Sequence, residues 1–223
     1  MIDFIFMLTR LDQTVSDCLE TFEQVREVGI GHVGYKDVGV PMETLKELNK
    51  AIKDTGATSY MEVVSETPEN CIRSAYNALE IGVDRLLGGT EVKQILEILS
   101  GTKIEYMPFP GRPEGHPTKL GGSPDDVEND CRRFSNQGCA GVDLLAYRAT
   151  DADPLDLVRA ARRGTDGYLV VAGSIDSPER IHAVAEAGAN AFTIGTAALE
   201  GTFSPRKGLL LSQLSDILAA CNV

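Results

Sequence analysis

The chain has 223 residues, 43% of them hydrophobic, with a formal net charge of −12; that is enough apolar material for a sizeable core, and about the length of one small α/β barrel. Such an acidic balance argues against a general nucleic-acid or anionic-membrane binder, because sequence-independent phosphate binding needs clustered positive charge. No apolar run approaches the roughly 20 residues of a membrane helix, and Asp3 interrupts a signal-peptide reading of the first residues, so a cytoplasmic protein with no membrane or nucleic-acid partner is expected.

Along the chain one pattern recurs: an apolar strand, an amphipathic segment, then a glycine. The predicted strands run from Asp3 to Leu8, Ile30 to Tyr35, Thr58 to Val64, Val83 to Leu87, Lys103 to Met107, Gly141 to Tyr147, Tyr168 to Ala172 and Ala191 to Ile194. Gly29, Gly56, Gly82, Gly138, Gly164 and Gly188 punctuate them at intervals of about 26 residues, the double gap after Gly82 holding two units. A glycine just past a helix is the expected stop, so each interval measures one strand–helix unit. Thr67-Pro68, Ser123-Pro124, Asp153-Pro154 and Ser177-Pro178 pair a capping residue with proline in the first helical position. Alternating strands and helices with short connections imply a parallel sheet, and eight units imply closure into a single-domain (β/α)8 TIM barrel; an open doubly wound sheet is the structural alternative. The five cysteines, Cys18, Cys71, Cys131, Cys139 and Cys221, are scattered without close pairs and read as reduced packing thiols.

In a barrel the chemistry belongs at the C-terminal strand ends. Period-two alternation turns Val33, Tyr35, Met61, Val63, Val142 and Leu144 toward the helices, and His32, Gly34, Lys36, Tyr60, Glu62, Asp143, Leu145 and Tyr147 toward the axis. Lys36, Glu62 and Asp143 are then the charged inward set and the candidate catalytic residues, with a structural ion pair plugging the barrel as the competing reading. His32, deeper in the barrel, reads as a hydrogen-bonded core residue. After the fifth strand, the stretch from Pro108 to Gly122 is too long for an ordinary connection and reads as a lid, with four prolines for stiffness and Gly111, Gly115 and Gly121-Gly122 as hinges. Its Arg112, His116 and Lys119, together with Arg10, Lys36 and Arg148, would ring the mouth with positive charge. A small anionic substrate follows, with Arg10, Arg112, His116, Tyr147 and Arg148 as its candidate contacts; a merely solvated loop is the alternative.

The last two strands both end in small residues, Gly173-Ser174 and Gly195-Thr196, and a short helix is expected from Thr196-Ala197. Backbone N–H groups in such turns form a ready anion site, so Gly173, Ser174, Gly195 and Thr196 are the candidate phosphate-binding residues. The stretch from Tyr168 to Leu199 resembles the closing units of the ribulose-phosphate-binding barrels, a group of isomerases, epimerases and lyases. The resemblance implies phosphate at those four positions. The Asp-x-Lys-x-x-Asp motif of the decarboxylase branch is absent, since the third strand reads Met61-Glu62-Val63-Val64-Ser65, and so are the paired histidines and aspartates that hold metal in the epimerase branch. Neither a metal nor an organic cofactor is therefore expected. The expected function is enolate-type proton transfer on a small phosphorylated sugar or related metabolite, as in an isomerase or epimerase, with Glu62 as base and Lys36 as electrophile. Two alternatives stand beside it: a Schiff-base aldolase or lyase using Lys36 as nucleophile, and a phosphometabolite-binding barrel without catalysis. A homo-oligomer is compatible with the composition.

Overall fold

A computed structural model of the chain describes residues 1–64, 67–115 and 117–222. Its eight parallel strands are β1 (Asp3–Met7), β2 (His32–Lys36), β3 (Thr58–Val63), β4 (Arg85–Gly88), β5 (Glu105–Met107), β6 (Gly141–Leu144), β7 (Tyr168–Val171) and β8 (Ala191–Ile194). Neighbours in sequence pair in space, and β8 pairs β1 with Asp3 opposite Ala191, so the sheet curls round on itself. The seam between β5 and β6 is joined at two points: the Ala140 N–H donates to the Tyr106 carbonyl and the Asp143 N–H to the Pro108 carbonyl, each at 3.0 Å. The fold is a (β/α)8 barrel, and the open-sheet alternative is set aside.

The helices are α1 (Cys18–Val25), α2 (Met42–Asp54), α3 (Pro68–Ile81), α4 (Val92–Leu99), α5 (Pro124–Gln137), α6 (Pro154–Gly164), α7 (Pro178–Glu186), the single turn α8 (Thr196–Leu199) and α9 (Leu210–Ala220). At α3, α5, α6 and α7 the side chains of Thr67, Ser123, Asp153 and Ser177 accept first-turn N–H groups with proline just inside, as expected; Ser123 and Asp126 complete a capping box. Gly164 departs from the glycine pattern. It ends α6 without acting as a left-handed cap, and a Cβ there would run into the Glu128 carbonyl and the Cys131 side chain of α5. That glycine is required by close helix packing.

The strands divide two cores by alternation. Ile5, Met7, Tyr60, Leu87, Met107, Val170 and Ala191 fill the interior, while Val33, Tyr35, Met61, Val63, Val142 and Leu144 pack outward under the helices. Cys18, Cys71, Cys131 and Cys221 are buried, and no disulfide forms among the described residues; burial pushes the Cys131 and Cys139 thiols up to about 12. No helix among the described residues is long and apolar enough to cross a membrane.

Three local features differ from expectation. Strand β6 ends at Leu144, where the expected strand continued to Tyr147, because a 3-10 turn over Ala146–Arg148 follows, with the Arg148 N–H returning to the Leu145 carbonyl at 2.9 Å. Alternation holds only while the chain is extended, so beyond Leu144 it no longer fixes direction. After β1, Thr9–Arg10 and Gln13–Thr14 form an unforeseen hairpin whose central residues, Leu11 and Asp12, both have positive φ (50° and 57°), as a type I′ turn requires. The long loop after β5 is also a hairpin, Arg112–Glu114 against Lys119–Gly121. Buried Leu120 and Phe109 and the bond from the Thr150 N–H to the Leu120 carbonyl at 3.0 Å anchor it to the barrel.

Candidate functional site

The register of β2 against β3 sets Lys36 beside Glu62 at the C-terminal end of the barrel. The Lys36 ammonium lies 3.0 Å from Glu62 Oε1 and 2.8 Å from Asp12 Oδ1, and all three side chains are buried. The first hairpin delivers Asp12, and the Thr14 hydroxyl clamps that hairpin to β2 by donating to the Lys36 carbonyl at 2.8 Å and accepting from its N–H at 2.9 Å. Arg148 closes the cluster from the other side. Its two terminal nitrogens donate in a fork to the Asp12 carboxylate, both at 3.0 Å, and one also reaches the Thr118 carbonyl of the second hairpin at 3.3 Å.

The electrostatics follow from this pairing. Burial alone would pull Lys36 down, but Glu62 and Asp12 outweigh it and hold the amine above its ordinary value, as an ammonium. Burial would push Asp12 up, but Arg148 and Lys36 reverse the sign and keep it well below the usual carboxylate range. Asp143 behaves differently. It is fully buried, neither carboxylate oxygen has a hydrogen-bond partner, and burial reinforced by the negative charge of Glu62 raises it well above its ordinary value despite Lys36 and Arg148 nearby. Burial thus favours the neutral form of Asp143 more than it does in the other carboxyl groups of the cluster.

Above this cluster opens a cavity of about 330 Å³, lined on one side by Asp12, Lys36, Glu62 and Arg148 and on the other by the loops after β7 and β8. All four expected anion-loop residues, Gly173, Ser174, Gly195 and Thr196, line it. Gly173 has φ +78°, and a Cβ there would strike the Arg148 side chain, so that side chain packs close against this turn. Ser174 adopts φ +58°, a left-handed conformation costly for a residue with a Cβ and commonest where function demands it. Gly195 lies against the end of β1: a Cβ there would sit 2.8 Å from the Met7 and Thr9 carbonyl oxygens. The glycines therefore bring the loops in close, and the Gly173 N–H donates to Thr193 Oγ1 at 3.3 Å.

Several expected contacts lie elsewhere. Arg10 is exposed and paired with Glu200 at 3.4 Å, and Arg112 is exposed between Asp126 and Asp151, each at 3.8 Å; neither lines the cavity. Tyr147, turned away by the 3-10 turn, stacks under the Arg180 guanidinium at 4.8 Å, and Arg180 donates to the Ser174 carbonyl, so Tyr147 backs the loop after β7 from outside. His116 falls outside the described residues. The expected ring of positive charge is replaced by a balanced cluster in which Lys36 and Arg148 face Asp12 and Glu62. Sequence reading missed Asp12, since its only signal would have been a hairpin turn and Leu11-Asp12 lacks the asparagine or glycine that marks one. Among the described residues no group of three or more His, Cys, Asp or Glu side chains is placed to hold a metal ion.

The sequence matches no family model and no curated protein. Solved structures do match over nearly the whole chain. Orotidine 5'-phosphate decarboxylase from Pyrococcus horikoshii OT3 superposes with a TM-score of 0.65 at 12% identity, covering 99% of each chain. Thiamine phosphate pyrophosphorylase from Pyrococcus furiosus gives 0.60 at 13% identity over 97% of this chain and 96% of that one. A cube-shaped protein cage designed by fusing symmetric oligomeric domains gives 0.66 at 11% identity, over 98% of this chain and 73% of that one. At these identities the likeness is one of fold. The fold they share with this chain is the (β/α)8 barrel described above.

Proposed function

We propose that the protein is an enzyme acting on a small phosphorylated metabolite by proton transfer next to a carbonyl, as in an isomerase or epimerase. One observation carries the reading: the contact between Lys36 and Glu62, at 3.0 Å, forms the wall of the cavity that faces the Gly173-Ser174 and Gly195-Thr196 loops. With the phosphate on those loops, and Arg148 beside it, the carbon chain of the substrate reaches across the cavity to the ion pair. Glu62 takes the proton, and the Lys36 ammonium stabilises the oxygen of the enolate as its charge develops. Asp143, its carboxyl raised above its ordinary value by burial and by the charge of Glu62, is fully buried and outside the cavity lining, so it tunes the pair from within the barrel and does not meet the substrate. The neighbouring barrels with phosphate compounds in their names support the substrate class.

The direction of the Lys36 pKa favours this role over a Schiff base, because a nucleophilic lysine must lose its proton and two carboxylates hold it on. The test is a screen of phosphorylated aldoses, ketoses and keto acids in D2O with mass or NMR detection. Deuterium uptake at carbon that disappears in Glu62→Gln supports the reading; saturable binding of a phosphorylated compound without exchange makes the protein a binding barrel, and trapping of a Lys36 adduct by borohydride makes it an aldolase.

A further inference from the structure

We propose that Asp12 is a positioning residue that joins the anion-binding end of the cavity to the Lys36–Glu62 end, by holding both of its cations in place at once. Three observations carry this. The Asp12 carboxylate is shared, accepting from Lys36 at 2.8 Å and from both terminal nitrogens of Arg148 at 3.0 Å. It is held there at a cost, since Asp12 sits in the left-handed region at φ +57° and is buried at 6% exposure, with the hairpin clamped through Thr14 to the backbone of Lys36 itself. And the arginine that it grips is the one packed close against the Gly173 turn, with Nε and Cζ where a Cβ of residue 173 would have to go. A bidentate carboxylate fixes both the position and the plane of an arginine, which a point charge cannot.

Charge and positioning make opposite predictions here, which allows a clean test. If Asp12 acted only through its charge, it would repel an incoming anion, and its removal would tighten anion binding. If it positions Arg148, removal loosens the guanidinium and weakens binding although the cavity becomes one unit more positive. The inference rests on the reading of the Gly173 and Gly195 loops as a phosphate site, so wild type is titrated first. Inorganic phosphate binding is measured by calorimetry for wild type, Asp12→Asn, Asp12→Glu and Arg148→Lys, and the Lys36 amine is titrated by NMR in the same proteins.

The expected result is a loss of phosphate affinity of about tenfold or more in Asp12→Asn, a similar loss in Arg148→Lys, which keeps the charge but not the fork, partial recovery in Asp12→Glu, and a Lys36 amine in Asp12→Asn that loses its proton at lower pH than in wild type. Unchanged or tighter phosphate binding by folded Asp12→Asn overturns the proposal. Should wild type bind no phosphate, the phosphate-site reading fails by itself; an unshifted Lys36 titration in Asp12→Asn then overturns the proposal too, and a shifted one upholds its lysine half. If Asp12→Asn does not fold, Arg148→Lys decides, and wild-type affinity in that variant overturns the proposal.

Discussion

At the N-terminal end of the barrel Asp3, His32, Tyr60, Arg85, Glu105 and Tyr168 interlock, whereas at the C-terminal end Asp12, Lys36, Glu62, Asp143 and Arg148 do so only in part. In the lower cluster each group finds a partner: His32 Nδ1 meets the Tyr60 hydroxyl at 3.0 Å, Arg85 donates to Tyr60 and to Glu105, each at 2.6 Å, and lies 4.4 Å above the Tyr168 ring, and Tyr168 donates to Asp3 at 2.5 Å. The upper cluster leaves the carboxyl of Asp143 without a partner, carries Ser174 in a strained conformation, and opens on a cavity. Both ends are rich in charge. The difference teaches that inward polar residues in a barrel are informative about chemistry when their hydrogen bonding is incomplete beside open space, since a satisfied network has already spent its capacity on the fold.

The largest expected effect breaks this comparison directly. Glu62→Gln at the upper end costs turnover on the order of 100-fold or more, the usual loss for a general base, with little change in substrate affinity. Arg85→Met at the lower end leaves turnover unchanged and lowers thermal stability, by about 1 to 3 kcal/mol for the polar groups it abandons. Steady-state kinetics and thermal melts of the two variants suffice, and equal kinetic damage from Arg85→Met would erase the distinction.

Next in size is the stability of the upper ion pair. Lys36→Met leaves the buried Glu62 carboxylate without its lysine and destabilises by about 3 to 5 kcal/mol, while Glu62→Gln costs less because Lys36 keeps Asp12. The double variant recovers stability but not activity. A fully stable and fully active double variant would make the pair a structural plug.

Acid and base separate the two ends more finely. Asp143 is raised above its ordinary value of 3.8, so the folded chain holds a proton that the unfolded chain releases, and its contribution to stability falls as pH rises from about 4. His32 is lowered below its ordinary value of 6.5, chiefly by burial and partly by Arg85 against the pull of Asp3, so acidification below about 6.5 costs stability. Chemical denaturation across pH therefore shows Asp143→Asn losing the decline on the alkaline side, and His32→Gln losing the one between pH 6.5 and the folded-state value. Unaltered profiles would refute both assignments.

The smallest effect concerns the second hairpin. Its backbone touches the site through the Thr118 carbonyl on Arg148, so a saturating phosphorylated ligand slows hydrogen exchange over residues 117–121 while leaving the lower end unaltered. Unchanged exchange with the cavity filled would dissociate this hairpin from binding.

How much of this was legible in the chain depends on how far apart the deciding residues lie. The eight strand–helix units, the four proline caps, the inward faces of β2 and β3 and the two glycine turns are properties of short segments, because period-two alternation and capping chemistry are local, and the sequence by itself determined them. From those came the adjacency of Lys36 and Glu62 and the facing loops at Gly173 and Gly195. Only the tertiary structure decided that Asp12 bridges Lys36 and Arg148, that Tyr147 turns behind the Ser174 loop, and that Arg10 and Arg112 pair with Glu200, Asp126 and Asp151 away from the cavity. Asp12 and Arg148 are 136 residues apart, and which carboxylate an arginine chooses is settled by the folded surroundings of both, where desolvation and hydrogen-bond geometry outweigh anything that adjacent residues encode.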